Sequence, residues 1–393
     1  LLWYLSIKFL PLGLGKESSQ CFETGTLTML TLGIFSVLRG LLQGQRQVQR
    51  YTAYSVLDSI GKPIIAIALI ILAGFRARGL LLSIAIVTGT ISVWEIVRIV
   101  REQGLRISSF SWAFLAKFYR YGLPVAAVGI ITWLITWTDR YLIGYFLGTG
   151  AVGMYSAGYS LVGKSLGGLV SVLQVASFPV LVLTWEEGKA LEVKNTLRRL
   201  IGIWVLVAAP VVVSIWGFRA EIVRIFLGKS FQGAATVMQW LSMVSLVQGI
   251  LFVAGTRPFQ ITKRTGYIAF FMGIASLCNV GANFVLIPKW GIIGAAISSL
   301  LSYIIALMLS YILSGAAFRF PLPWASLTKV CGSAIGMYLM ILFIKARSKL
   351  PWGPTMIVAL TLGMLVYLLL IWLTHEEIGL QATKRLWGKI HKE

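Results

Sequence analysis

An all-α fold is predicted, a polytopic membrane protein with about eleven transmembrane helices. Three observations predict it. Of the 393 residues, 58% are hydrophobic and only 12% are charged, and the mean hydropathy is +0.84. A soluble domain is usually about a quarter charged, and a soluble fold of this length could not bury so much apolar surface. Apolar runs repeatedly reach the ~20 residues that a spanning helix needs. They do not alternate as the ~10-residue strands of a membrane barrel would.

In order, the runs fall at 24–43, 55–73, 80–98, 123–146, 151–183, 200–217, 234–255, 267–287, 292–314, 330–345 and 354–373. Residues 1–14 are also apolar and resemble the end of another span. The chain starts at Leu1 with no signal-peptide pattern, so its N-terminus is expected to be the edge of a longer protein. Segment 99–122 carries basic residues with Trp112, Phe114, Phe118 and Tyr119, which predicts an amphipathic surface helix between two bundles. Segment 218–231 reads as a shorter interfacial helix. The expected organisation is a partial N-terminal bundle (1–106), a cytoplasmic linker helix (107–122), a C-terminal bundle (123–315), two extra transmembrane helices (316–373) and a cytoplasmic tail (374–393).

The net charge is +22, from 35 Lys and Arg against 13 acids. A basic balance of this size would fit nucleic acid in a soluble chain. Here the basic residues collect in alternate loops, as cytoplasmic loops of membrane proteins require. The loops at 44–52, 99–121, 184–199, 256–265 and 315–329, with the tail, carry about twice the basic residues of the opposite set. They are expected to be cytoplasmic, and nucleic acid is not an expected partner. Cys21, Cys278 and Cys331 have neither zinc spacing nor a disulfide framework.

Two stretches resemble each other: GTGAVGMYSAGYSLVG at 148–163 and WGIIGAAISSLLSY at 290–303. Each follows a tight turn and opens a helix with Gly, a second Gly three residues on, and further small residues. Such residues let helix backbones approach closely in lipid, and related hairpins fit a transporter built of repeated bundles.

Gly158-x-x-x-x-Gly163-Lys164-Ser165 matches the phosphate-loop pattern. That motif requires a preceding strand and a metal-binding Asp on another strand. Here it sits in a long apolar helix, so a chance match is the preferred reading. The match does mark Lys164 as deep within a span.

Ionisable residues inside a membrane are costly and usually functional. The candidates are Arg39, Lys62, Asp139, Arg140 and Lys164. Arg39 and Lys62 lie at similar depth in one hairpin and would repel unless an anion sat between them. Asp139 and Lys164 lie within ~8 Å in depth at 1.5 Å per residue, so they could pair. The plainer alternative is snorkelling of the long basic side chains to the headgroups. No catalytic residues, metal or cofactor are expected. The two histidines, His375 and His391, lie in the tail, and there is no large loop with the acid–base residues a polymerase or glycosyltransferase would present.

The stretches RYGLPVAAVGIITWLITWTDRYLIGYFLGTGAVGMYSAGYS at 120–160, SLCNVGANFVLIPKWGIIGAAISSLLSY at 276–303 and VLRGLLQGQRQVQRY at 37–51 are similar to the polysaccharide flippases of the multidrug/oligosaccharidyl-lipid/polysaccharide exporter superfamily. The resemblance covers nearly the whole chain. It implies two six-helix bundles around a cavity with two extra C-terminal helices, of which this chain would lack about the first three helices. It implies an alternating-access flippase for undecaprenyl-pyrophosphate-linked oligosaccharide in the bacterial inner membrane. Lipid-linked oligosaccharide, membrane lipids and polysaccharide polymerase machinery are the partners it implies. A pyrophosphate crossing the membrane needs buried cations, which Arg39, Lys62, Arg140, Lys164 and Arg257 would supply beside Asp139. Trp133, Trp137, Tyr155, Tyr159, Asn279 and Asn283 are the candidate glycan wall. The rivals are a cation-coupled multidrug exporter of the same superfamily, which would prefer acidic cavity residues, and a membrane enzyme of polysaccharide assembly.

Overall fold

The computed structural model describes residues 16–45, 47–104, 112, 116, 137–315 and 322–374. The described residues form helices and turns. In chain order these are α1 (Lys16–Gly44), α2 (Val48–Ala73), α3 (Arg76–Gln103), α4 (137–147), α5 (Thr149–Val162), α6 (Gly168–Glu186), α7 (Ala190–Phe226), α8 (Ala234–Ile250), α9 (Arg257–Ile261), α10 (Gly266–Leu313), α11 (Trp324–Arg347) and α12 (Trp352–Leu373). Among the described residues, nine helical stretches are long and apolar enough to cross a membrane. The protein is therefore a multi-pass membrane protein.

Two of the eleven expected runs share one of those stretches. Runs 267–287 and 292–314 are the limbs of α10, which breaks at Gly291 (φ 61, ψ −141). The limbs fold back on each other, because Ser298 Oγ donates to the Asn279 carbonyl at 2.9 Å. Only a glycine tolerates the approach at Gly294, where a Cβ would lie 2.1 Å from the Leu286 carbonyl oxygen. Gly148 (φ 84) makes the equivalent turn between α4 and α5, so both resembling stretches begin at a left-handed glycine. Most of run 123–146, the linker at 107–122 apart from residues 112 and 116, the start at 1–14 and the tail beyond residue 374 lie outside the described residues.

Residues 1–117 and 118–393 form two compact units. In the first, α3 packs against both α1 and α2. Thr28 Oγ1 donates to the Leu81 carbonyl at 3.0 Å, and Gly61 lies against the Val87 methyls. In the second, α8 packs on α5, α7 and α10, and α11 joins α7 to α12. The core is dense at Trp204, whose ring covers Gly249 so closely that a Cβ there would overlap it. Trp204 Nε1 donates to the Leu246 carbonyl at 2.9 Å, which satisfies the indole in an apolar interior.

Two π-helical turns interrupt the second unit, at Gly163–Gly167 between α5 and α6 and at Leu251–Gly255 between α8 and α9. Single π turns inside α-helices recur at functional sites. The phosphate-loop match lies across α5 and the first of these turns. Ser165 Oγ donates back to the Leu161 and Val162 carbonyls, as a helical serine does. In the turn between α6 and α7, Glu187 lies 2.8 Å from Lys189 and holds that ammonium's pKa above its usual value.

Candidate functional site

Asp139, on α4, is buried. Its Oδ2 accepts hydrogen bonds from Tyr155 Oη at 2.8 Å and Ser299 Oγ at 2.6 Å, and its Oδ1 accepts from Asn283 Nδ2 at 2.7 Å. The hairpin turn at Gly148 brings Tyr155 opposite Asp139. The turn at Gly291 sets Asn283 and Ser299 on the two limbs of α10. Asn283 Nδ2 also reaches Asn279 Oδ1 at 3.0 Å, while Asn283 Oδ1 is buried with no hydrogen-bond partner. A cleft of about 30 Å³ borders Asp139, Tyr159, Ser299 and Tyr303, enough for one water-sized guest. A carboxylate in this setting is held by neutral dipoles, which stabilise its charge without cancelling it.

The next residue, Arg140, faces the same helix α5. Its guanidinium lies 4.4 Å from the Trp137 ring centre and 4.6 Å from that of Tyr159, and Nε donates to Ser156 Oγ at 3.1 Å. Tyr155 and Tyr159 stack at 6.3 Å. One turn of α5 thus touches both charges: Tyr155 the carboxylate and Tyr159 the guanidinium. Aromatic faces attract a desolvated cation strongly.

The expected Asp139–Lys164 pair does not form. Lys164 is exposed on the π turn and takes part in no ion pair among the described residues. The physical reason is helical phase. Lys164 follows Tyr155 by nine residues, which at 3.6 residues per turn is about half a turn off its face and ~13 Å further along. Arg257 is buried; Nη1 donates to Gln260 Oε1 at 2.9 Å, Nη2 to the Gln174 carbonyl at 3.2 Å, and the guanidinium lies over the Phe178 ring. It ties α9 to α6, away from the Asp139 cluster. Of the expected glycan wall, Tyr155, Asn279 and Asn283 are consumed in that cluster, and Trp133 lies outside the described residues.

In the first unit Arg39 and Lys62 do not confront each other as unrelieved like charges. Arg39 donates to Tyr51 Oη at 2.7 Å and lies over the Phe35 and Tyr51 rings. Lys62 lies 2.6 Å from Asp58 Oδ1, an ion pair although its angles fall short of a hydrogen bond. Glu95, not anticipated from the sequence, is 2% exposed and accepts from Tyr54 Oη at 2.5 Å. Arg98 pairs with Glu102 at 2.6 Å, four residues along α3. Asp58 was legible as the i,i+4 partner of Lys62. Glu95 had only its intramembrane position to betray it.

Residues 16–236 match the model of a family described as polysaccharide biosynthesis protein. The chain belongs to that family. The probable flippase AglR of Haloferax volcanii is 26% identical over 286 residues, covering 68% of this chain and 55% of that protein. The lipopolysaccharide biosynthesis protein WzxC of Escherichia coli is 23% identical over 264 residues, covering 65% of this chain and 49% of that protein. The chain spans about half the length of these relatives. Among solved structures, the lipid II flippase MurJ in an inward closed conformation matches with a TM-score of 0.69 at 14% identity, over 92% of this chain and 74% of that one. An outward-facing multidrug resistance MATE transporter of the MOP superfamily matches at 0.55 with 17% identity, over 79% and 72%. At these identities the likeness establishes the fold, which the chain shares with these two transporters.

Proposed function

We propose that the chain belongs to a flippase that carries a lipid-linked glycan across the membrane. The observation that carries this reading is the adjacency of Asp139 and Arg140 in an apolar bundle, two charges held by aromatic rings and neutral donors. Retaining such charges in a bilayer is costly and marks a transport pathway. In this reading Arg140 and Lys164 are the cations of the second unit that meet the anionic phosphate linkage, and Arg39 is the candidate cation of the first unit taken by itself. Trp137 and Tyr159 offer ring faces to sugars. Asp139, with its water-sized cleft, takes up the proton or small cation that drives the cycle. Lys62 is neutralised by Asp58, and Arg257 serves as a strut between α6 and α9. The finer reading of the cargo is an undecaprenyl-pyrophosphate-linked oligosaccharide.

Surface-glycan complementation tests the proposal. A full-length version carrying this chain should restore glycan in a flippase-deficient host, and Arg140→Ala should abolish restoration at normal protein level. Full restoration by Arg140→Ala would overturn the assigned role. A second reading, a cation-coupled exporter of small molecules, is favoured by two observations. Buried acids occur in both units, at Glu95 and Asp139, and the fold is shared with a multidrug transporter. Drug resistance conferred by the full-length protein, without glycan restoration, would select it.

A further inference from the structure

α7 bends at Phe218 (φ −123, ψ 23), and its last two turns run to Gly228 (φ 81). This end of α7, with the start of α12, borders a cleft of about 580 Å³ whose walls include Glu221, Arg224, Gln232 and Trp352. The apolar helices α11 and α12 end and begin here, at Arg347 and Trp352. The cleft therefore lies at the level where hydrocarbon gives way to headgroups, where tryptophan is enriched.

Its charges are set in a particular way. Lys345 Nζ donates to Glu221 Oε1 at 2.7 Å and to the Gly217 carbonyl at 2.9 Å. That fixes the carboxylate, yet its second oxygen, Oε2, is buried with no hydrogen-bond partner. The Arg224 guanidinium lies 5.0 Å over the Trp352 ring. One wall thus offers an exposed cation on an aromatic face. Close by is a carboxylate oxygen that lacks a donor, and a buried acceptor left unsatisfied is costly. A free phosphate would satisfy Arg224 but bring no cationic donor to the open Oε2 of Glu221. An anionic glycerol headgroup would offer Oε2 only neutral hydroxyl donors, weaker than an ammonium.

We propose that this cleft binds the headgroup of a zwitterionic phospholipid with a primary ammonium. The phosphate lies on Arg224, the ammonium N–H groups turn toward Glu221, and the acyl chains follow the exposed apolar faces of α11 and α12, at Leu339, Phe343 and Ile357. Such a lipid would pin the bent end of α7 to the start of α12.

The test is native mass spectrometry of the full-length protein in detergent. The protein is incubated with an equimolar mixture of phosphatidylethanolamine, phosphatidylcholine and phosphatidylglycerol. One phosphatidylethanolamine should remain bound, about tenfold preferred over the other two, since a charge-assisted hydrogen bond contributes at least that much discrimination. Glu221→Gln should erase the preference for ethanolamine over choline. Glu221 also anchors Lys345, so Arg224→Gln provides a second variant on an exposed side chain, and it should lose the retained lipid while keeping an unchanged elution profile. Equal retention of phosphatidylglycerol, undiminished retention in Arg224→Gln, or displacement of the lipid by millimolar inorganic phosphate would each overturn the proposal.

Discussion

The ion pair on α2 in the first unit and the Asp139 cluster in the second treat charge in the membrane differently. In residues 1–117, Asp58 meets Lys62 and Glu102 meets Arg98 and, at 3.9 Å, Arg50, while buried Glu95 accepts from the Tyr54 hydroxyl. In residues 118–393, Asp139 is held by a tyrosine, an asparagine and a serine. A pair cancels its own field and can be removed together at little cost. A carboxylate held only by neutral dipoles has no cation to cancel it and can respond to a proton or cation. The first unit's pairs are therefore read as scaffolding, and the second unit's carboxylate as working charge.

The largest expected effect falls on the working charge. Asp139→Asn preserves shape and most hydrogen-bonding capacity but removes the charge. Export of the surface glycan should fall about tenfold or more, the consequence of losing only ~1.4 kcal/mol of coupling. Protein level, followed by immunoblot, should be unchanged. Undiminished export would dissolve the contrast between pair and cluster.

A second comparison concerns the scaffold pair. Asp58→Leu alone and Lys62→Met alone should each lower thermal stability in detergent by ~1–3 kcal/mol, less than a fully buried pair loses because the side chains are 16% and 25% exposed. The double variant should recover to within about 1 kcal/mol of the parent, as a cancelled pair does. It should also export normally. A double variant that is stable but inactive would promote this pair from scaffold to site.

Packing offers a third test, indifferent to charge. Gly249→Val places methyls where the Trp204 ring already lies, and overpacking should cost roughly 1–3 kcal/mol. Size-exclusion chromatography would report it as loss of the monodisperse peak. Trp204→Leu in the same chain should recover part of the loss. No recovery would mean that the ring is not the obstacle.

The sequence made the helices legible because lipid imposes a length and a composition on each span. Gly148 and Gly291 were also visible as turn points from the glycine pattern that follows them. Partnerships were less visible. Asp139 and Lys164 looked paired when only depth along the hairpin was compared, because depth ignores the azimuth that turns Lys164 off the face of Tyr155. The contact from Asn283 to Asp139 joins residues 144 apart, and nothing local in either segment announces it. Arg224 and Trp352 are also far apart in sequence, so the cleft between them had no linear signature.

The smallest expected effect separates a working cation from a snorkelling one. Lys164 sits exposed on a π turn, with no ion pair among the described residues. If it only reaches toward headgroups, its charge contributes nothing to cargo, and Lys164→Ala should export as well as the parent. If it meets the phosphate linkage during transport, Lys164→Ala should lower export roughly threefold, equivalent to ~0.7 kcal/mol. Lys164→Arg should then retain most activity, since the charge persists on a side chain of similar reach. The effect is small because an exposed cation is already partly solvated, so a passing anion gains less from it than from Arg140 between its two rings. Both variants are compared at equal immunoblot intensity. Equal export by the Ala and parent proteins would leave Arg140 as the anion-binding residue of the second unit in the proposed pathway.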